Sequence, residues 1–144
     1  LALLPGLNLR GPLQVLAAPG HSFSDVAAKC LHIVNLGSMR ALSSIAGQTL
    51  DPIRFRPNLI IDGLPAWSEL GLVGQSLQIG AVKLKVFKRT VRCAATNVNP
   101  ATARRDLDIP NLLRGSLAHS DFGIYARVVT AGDIAVGDDV QITA

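Results

Sequence analysis

Cysteine, aromatic residues and negative charge are all scarce in this chain, and each scarcity removes a class of protein. Only two cysteines occur, Cys30 and Cys93, in no CxxC or zinc-finger spacing. Neither a disulfide scaffold nor a structural zinc module is expected. A reducing compartment follows, with the cytoplasm as the default. Aromatic residues are 4% of the chain, too few to interleave base-stacking platforms with positive charge. A nucleic-acid-binding barrel is therefore disfavoured. No run of 18 or more apolar residues exists, so no transmembrane helix and no membrane partner are predicted. The opening residues are apolar, but Pro5, Gly6 and Asn8 interrupt them, and they lack the basic start of a signal peptide. GxSxG, HExxH, P-loop and GxGxxG motifs are missing too.

What is present suits one well-packed unit. The chain has 144 residues, 49% hydrophobic and 17% charged. This predicts a single domain over 1–144 with one core. Net charge is +4, but its distribution says more than its sum. Between Glu69 and Asp106 there is no acid, while Lys83, Lys85, Lys88, Arg89, Arg92, Arg104 and Arg105 fall in that interval. Such a field attracts a phosphate, a pterin phosphate or nucleic acid. The plainer reading is a solvated strand face, with Lys83 and Lys85 pointing to water.

Hydrophobic spacing is mostly of period two, with frequent Gly and Pro punctuation. Leu13–Ala17, Cys30–Asn35, Asn58–Asp62, Leu77–Ile79, Val82–Val91, Phe122–Thr130 and Val140–Thr143 read as strands. Gly80 separates a hairpin, and Ile134–Val136 leads into a turn at Gly137-Asp138. Two helices are predicted, Met39–Ala46 capped by Ser38 and closed by Gly47, and Asn111–Ala118 after Pro110. Trp67–Leu70 reads as a single turn. Many short strands with few helices give a mainly β fold, a closed or nearly closed β-barrel. Regular helical crossovers are missing, which disfavours a parallel α/β sheet.

Two thiols and three histidines are the reactive side chains to weigh. Cys30 lies in an apolar run and reads as a buried structural thiol. His32, inside an apolar strand, reads as a satisfied core histidine, and His119 as an exposed loop residue. Cys93 differs. It follows the long strand, beside Arg92 and near Arg89 and Lys88. Cationic neighbours favour the thiolate, which is the nucleophile and the metal-ligating form. Ala94 and Ala95 leave room for an approaching group.

Four segments then carry a family resemblance. Arg54-Phe55-Arg56-Pro57-Asn58 resembles the RFRPN signature of MOSC domains, the domains at the C-terminal end of molybdenum cofactor sulfurases. The run from Arg92-Cys93 through Thr96 and Pro100 to Thr102 resembles the family's RCxxTxVDPxT segment. Phe122–Ala126 and Gly132–Asp138 resemble its closing strands. The order agrees from about residue 30 to 144. Asn99 stands where the family usually has an acid, and Ala103 where it commonly has glycine. The N-terminal β-barrel subdomain of larger relatives has no counterpart in the chain.

The resemblance implies a MOSC-type barrel and two possible uses for Cys93. One is sulfur carriage, as a persulfide received from a cysteine desulfurase or another donor and passed to a metal–sulfur cofactor. The other is ligation of molybdenum in a bound molybdenum cofactor (molybdopterin). In relatives similar to the mitochondrial amidoxime reducing component, that cofactor reduces N-hydroxylated compounds. A separate redox partner would then be needed, since no flavin or iron–sulfur motif is present. The match implies cofactor contacts at Arg56, Asn58, Arg92, Tyr125 and Ser38. No pyridoxal phosphate site is recognisable. Several motif residues also have a plainer role: Arg54 or Arg56 bracing a strand end through Asp51 or Asp62, Asn58 serving a bulge or turn, and Tyr125 sitting at a barrel rim.

Overall fold

In the computed structural model, which describes Pro19 and residues 28–143, the alternation in Val82–Val91 becomes the spine of the fold. That strand (β4) and Asp121–Thr130 (β5) are each ten residues long and pair antiparallel. Val82, Leu84 and Val86 turn inward, while Lys85 is exposed. Ser76–Ile79 (β3) joins β4 in a hairpin, with Gly80 in a left-handed conformation at the turn. Leu31–Asn35 (β1) flanks β5, Leu59–Ile61 (β2) flanks β1, and Val140–Thr143 (β6) flanks β3. The result is one six-stranded sheet, β2-β1-β5-β4-β3-β6, curled in barrel fashion with two helices. Its end strands β2 and β6 are not paired with each other among the described residues.

The sheet is not wholly antiparallel. β1 and β2 run parallel, and the connection between them carries Leu36–Ala46 (α1) and a 3-10 turn, Pro52–Phe55. One helical crossover therefore exists, although the sequence shows no regular series of them.

Strand periodicity divides the core in two. On β1, Ile33 joins Leu77, Leu84, Val86 and Ile124, whereas Val34 faces Met39, Leu42, Phe55, Leu113 and Phe122. Phe55 and Phe122 have ring centroids 4.3 Å apart, a contact worth about 1 kcal/mol beyond the area it buries.

Both helices start earlier than their sequences suggested. α1 is capped by Asn35, whose side chain accepts from Gly37 N, and not by Ser38. Ser38 lies inside the helix with no exposure. Gly47 does end α1, in the left-handed conformation. The second helix, Ile109–Leu117 (α2), is capped by Asp108 and holds Pro110 in its first turn, a place where its missing N–H costs nothing. Ile134–Val136 forms no strand. The expected strand Leu13–Ala17 lies outside the described residues.

Candidate functional site

β4 delivers Cys93 to the rim of the sheet. Val91 still pairs with Asp121, and Arg92 N donates to Ser120 O at 2.8 Å. The chain then leaves the sheet. Cys93 is extended (φ −113°, ψ 177°) and heads a 3-10 turn, Ala94–Asn97. Its carbonyl accepts from Thr96 N (3.1 Å) and from Thr96 Oγ1 (2.8 Å), which fixes the backbone while the side chain is exposed.

Arg92 is held more tightly than its thiol neighbour. Its Nη2 donates to Phe55 O at 2.8 Å, its Nη1 lies 3.3 Å from His32 Nε2, and its guanidinium stands 5.2 Å from the Phe55 ring centroid. Its Nε is buried without a partner. Among the described residues no carboxylate is paired with it. Burial pulls its pKa down, while Tyr125 and Cys93 nearby pull it up. An arginine stays charged regardless.

His32 is a core histidine, as its apolar strand suggested. Burial and the positive charge of Arg92 push its pKa down to about 4, although backbone groups of Arg56, Phe122 and Phe55 favour the charged form. It is neutral at pH 7. Arg92 can only donate, so Nε2 must be the accepting nitrogen and the ring proton sits on Nδ1. Room for the ring comes from Gly123 (φ +82°). A Cβ there would lie 2.6 Å from His32 Nε2 and 2.6 Å from Ile33 O.

Aromatic rings continue the group outward. Tyr125 packs on His32 (centroids 5.5 Å), Phe87 stacks on Tyr125 (6.3 Å), and the Arg127 guanidinium covers Phe87 at 4.6 Å. Asn58 enters from the other side. Its Oδ1 accepts from His32 N and its own N donates to His32 O, both at 2.8 Å. Its side chain thus stands in for backbone and extends the β1–β2 pairing. Arg56 follows Phe55 directly, is exposed, and takes a left-handed conformation (φ 51°). Asn58, Arg92 and Tyr125 therefore meet at His32, Arg56 reaches it through its backbone, and Cys93 lies near Arg92.

Ser38 is held in a different cluster. Its hydroxyl donates to the fully buried Glu69 carboxylate (2.7 and 2.8 Å) and accepts from Trp67 N (2.8 Å), while Asn35 Nδ2 approaches at 3.3 Å. Arg54 is also occupied. It makes two bonds of 2.9 Å to Asp106 and one of 3.1 Å to Thr96 O. Its brace is neither Asp51, which caps the 3-10 turn, nor Asp62, which pairs with Arg40. Asp106 also accepts from Asn99 Nδ2 at 2.8 Å, and the Arg54 bonds and Asn99 hold its carboxyl below the usual range. The Asn99 amide can donate to this carboxylate, which an ionised acid at the same position could not.

Sequence reasoning did not foresee His32, Phe55, Thr96, Asp106 or Gly123 in these roles. Only Gly123 carries a local signal, a glycine inside a strand. Cys30 is half-buried, and burial raises its pKa against a smaller opposing effect of Arg127. His119 is half-buried, not exposed, and its Nδ1 accepts from Asp121 N. A depression of about 670 Å³ beside α2, lined by Ile45, Arg105, Asp106, Asp108, Asn111 and Leu112 among others, contains neither Cys93 nor Arg92. No described helix is long and apolar enough to cross a membrane.

The MOSC domain model matches residues 19–141. The chain belongs to the MOSC domain family. Curated relatives of this MOSC domain include mitochondrial amidoxime-reducing component 1 of Xenopus laevis, 32% identical over 115 residues. The match covers 72% of the chain and 33% of that protein. Molybdenum cofactor sulfurase of Drosophila willistoni is 32% identical over 133 residues, 88% of the chain and 16% of that protein. The chain's match thus spans about a third or less of the length of these two relatives. Among solved structures, YiiM from Geobacillus stearothermophilus superposes with a TM-score of 0.62 at 17% identity, covering 79% of the chain and 54% of YiiM. That likeness supports the fold.

Proposed function

We propose that this MOSC domain binds the molybdenum cofactor, with Cys93 as the protein ligand to molybdenum and Arg92 as a fixed positive charge beside it. One observation carries the reading. Arg92 is largely withdrawn from water, aligned by His32 and the Phe55 carbonyl, and matched by no carboxylate among the described residues. A cation kept this way attracts an anionic group more strongly than an exposed one does.

The residues present fit the cofactor. A soft thiolate suits molybdenum. Guanidinium forks of Arg92 and Arg56 suit a phosphate or a pterin edge, and Asn58 and Tyr125 offer polar contacts. Ser38 is the weakest member of the set, because its hydroxyl already serves Glu69 and Trp67. No group of three or more His, Cys, Asp or Glu among the described residues could hold a metal. Cys93 would therefore be the protein's ligand to the metal, and the cofactor's own donors would supply the rest. When bound, the cofactor supplies a redox-active metal. The protein's part is to hold Cys93 at the rim, to neutralise the anion through Arg92, and to keep His32 uncharged beneath it. Similarity to an amidoxime-reducing component favours reduction of N-hydroxylated compounds, with electrons from a separate redox partner.

Sulfur carriage is the second reading, and the exposure of Cys93 favours it. There the Cys93 thiolate attacks the terminal sulfur of a desulfurase persulfide, becomes the persulfide, and releases the donor thiolate. Similarity to a cofactor sulfurase fits this route.

Molybdenum per chain separates the two. It is measured by elemental mass spectrometry on protein from a cofactor-producing host, with Cys93→Ser alongside. Near-stoichiometric metal that is lost in the variant supports cofactor binding. Metal-free, folded wild-type protein turns the reading to persulfide carriage. Equal metal in both proteins removes Cys93 as the essential ligand.

A further inference from the structure

The geometry points to His32 as a positioning residue that aims Arg92 at the ground beside Cys93. The inference rests on the reading of Cys93 and Arg92 as the site, and adds a residue that neither the motifs nor the comparisons assign.

Arg92 has two ordering contacts at its terminal nitrogens, Phe55 O and His32 Nε2. The Phe55 bond alone leaves the fork free to swing about that point. The second contact stops this rotation and sets the plane of the guanidinium. Each terminal nitrogen then keeps one further N–H for a ligand. Three features make His32 suited to the task. It comes from β1 in the interior of the sheet, so its backbone is held on both sides, by β5 and by Asn58. Its ring is confined by Tyr125 and by the close approach of Gly123. It presents a lone pair, not a charge, so Arg92 is oriented without being neutralised. A carboxylate at the same place would align the fork but cancel the field that an anionic ligand needs.

The test reads the field at the thiol. Iodoacetate and iodoacetamide alkylate a thiolate with the same leaving group but differ in charge. Their rate ratio at Cys93, followed by peptide mass spectrometry at low ionic strength, reports a correctly placed cation. Arg92→Gln is expected to lower the ratio by about fivefold. His32→Asn, whose amide stops near the position of Nδ1, should bring the ratio close to the Arg92→Gln value. His32→Gln, whose oxygen reaches about as far as Nε2, should keep it near wild type. An unchanged ratio in His32→Asn, or an equal loss in His32→Gln, overturns the assignment. If Arg92→Gln itself leaves the ratio unchanged, the reading of Arg92 beneath it falls, and the positioning role with it. A second measurement needs no variant. Nitrogen NMR of the wild-type protein at pH 7 should show His32 protonated at Nδ1 and bare at Nε2, and the opposite tautomer overturns the proposal.

Discussion

Arg54 and Arg92 come from the two motif segments, and both guanidiniums are drawn into the protein, but they meet opposite surroundings. Arg54 faces a carboxylate squarely, with two bonds to Asp106 and a third to Thr96 O. Its charge is spent on holding the loop that follows Cys93. Arg92 faces an imidazole and a carbonyl, both neutral. Its direction is fixed and its charge is left over. The same side chain thus serves as a strut in one place and, in the proposed reading, as a receptor in the other, and the difference lies in whether the acceptor carries a charge.

The comparison can be broken from either side. The largest effect is expected at Arg92. Arg92→Gln should lower molybdenum per chain by roughly tenfold or more, since a charge-assisted contact is worth about 1.5–3 kcal/mol. Its thermal midpoint should change little. Elemental analysis beside a melting curve checks both, and retained metal would equate the two arginines. Arg54→Met should do the reverse. Removing this buried guanidinium costs about 3 kcal/mol of stability, read from the urea midpoint, because Thr96 O loses its donor and the loop its clamp. Metal per folded chain should be kept.

Acid sharpens the contrast. His32 has a folded-state pKa of about 4, below its ordinary 6.5. The unfolded chain therefore binds the extra proton first, and stability falls as pH drops from 6.5 towards 4. By pH 4.5 the loss is roughly 2–3 kcal/mol. The Arg54 side responds in a lower window. Asp106 has a depressed pKa, so the stability it contributes is lost only as pH falls below the ordinary carboxylate value. Urea midpoints between pH 7 and 4.5 should slope in wild type and flatten in His32→Gln. A slope that survives in the variant assigns the acid sensitivity elsewhere. The smallest effect concerns the loop itself. Ala103 is left-handed (φ 57°), and Ala103→Gly should stabilise by about 0.5–1 kcal/mol through relief of that strain. A destabilised variant would mean that the flexibility glycine adds to the unfolded chain outweighs the strain.

Much of this was readable before any coordinates. Period-two spacing located β3, β4, β5 and β6, and Cys93 is exposed where Cys30 is half-buried. The failures share a cause. Ser38 resembled a helix cap because serine before an apolar run usually is one. Its true partner, Glu69, is 31 residues away. Asp106 lies 52 residues from Arg54, and His32 lies 60 from Arg92. Local propensity and spacing carry no information about such pairs, which exist only once the sheet has brought β1 beside β5 and the 3-10 turn beneath the rim. The parallel β1–β2 pair was missed for a related reason. A single crossover leaves no regular alternation of strand and helix to detect.

Asn58 has a consequence for the electrical character of this rim. The bond from His32 N asks only for an acceptor, and an aspartate would supply one just as well. An aspartate would also bring a permanent counterion to the residue that Arg92 leans on. By using an amide, the fold obtains the mechanical link and stays electrically silent there. The surplus positive charge beside the thiol is then a property of the scaffold that an arriving anion can collect.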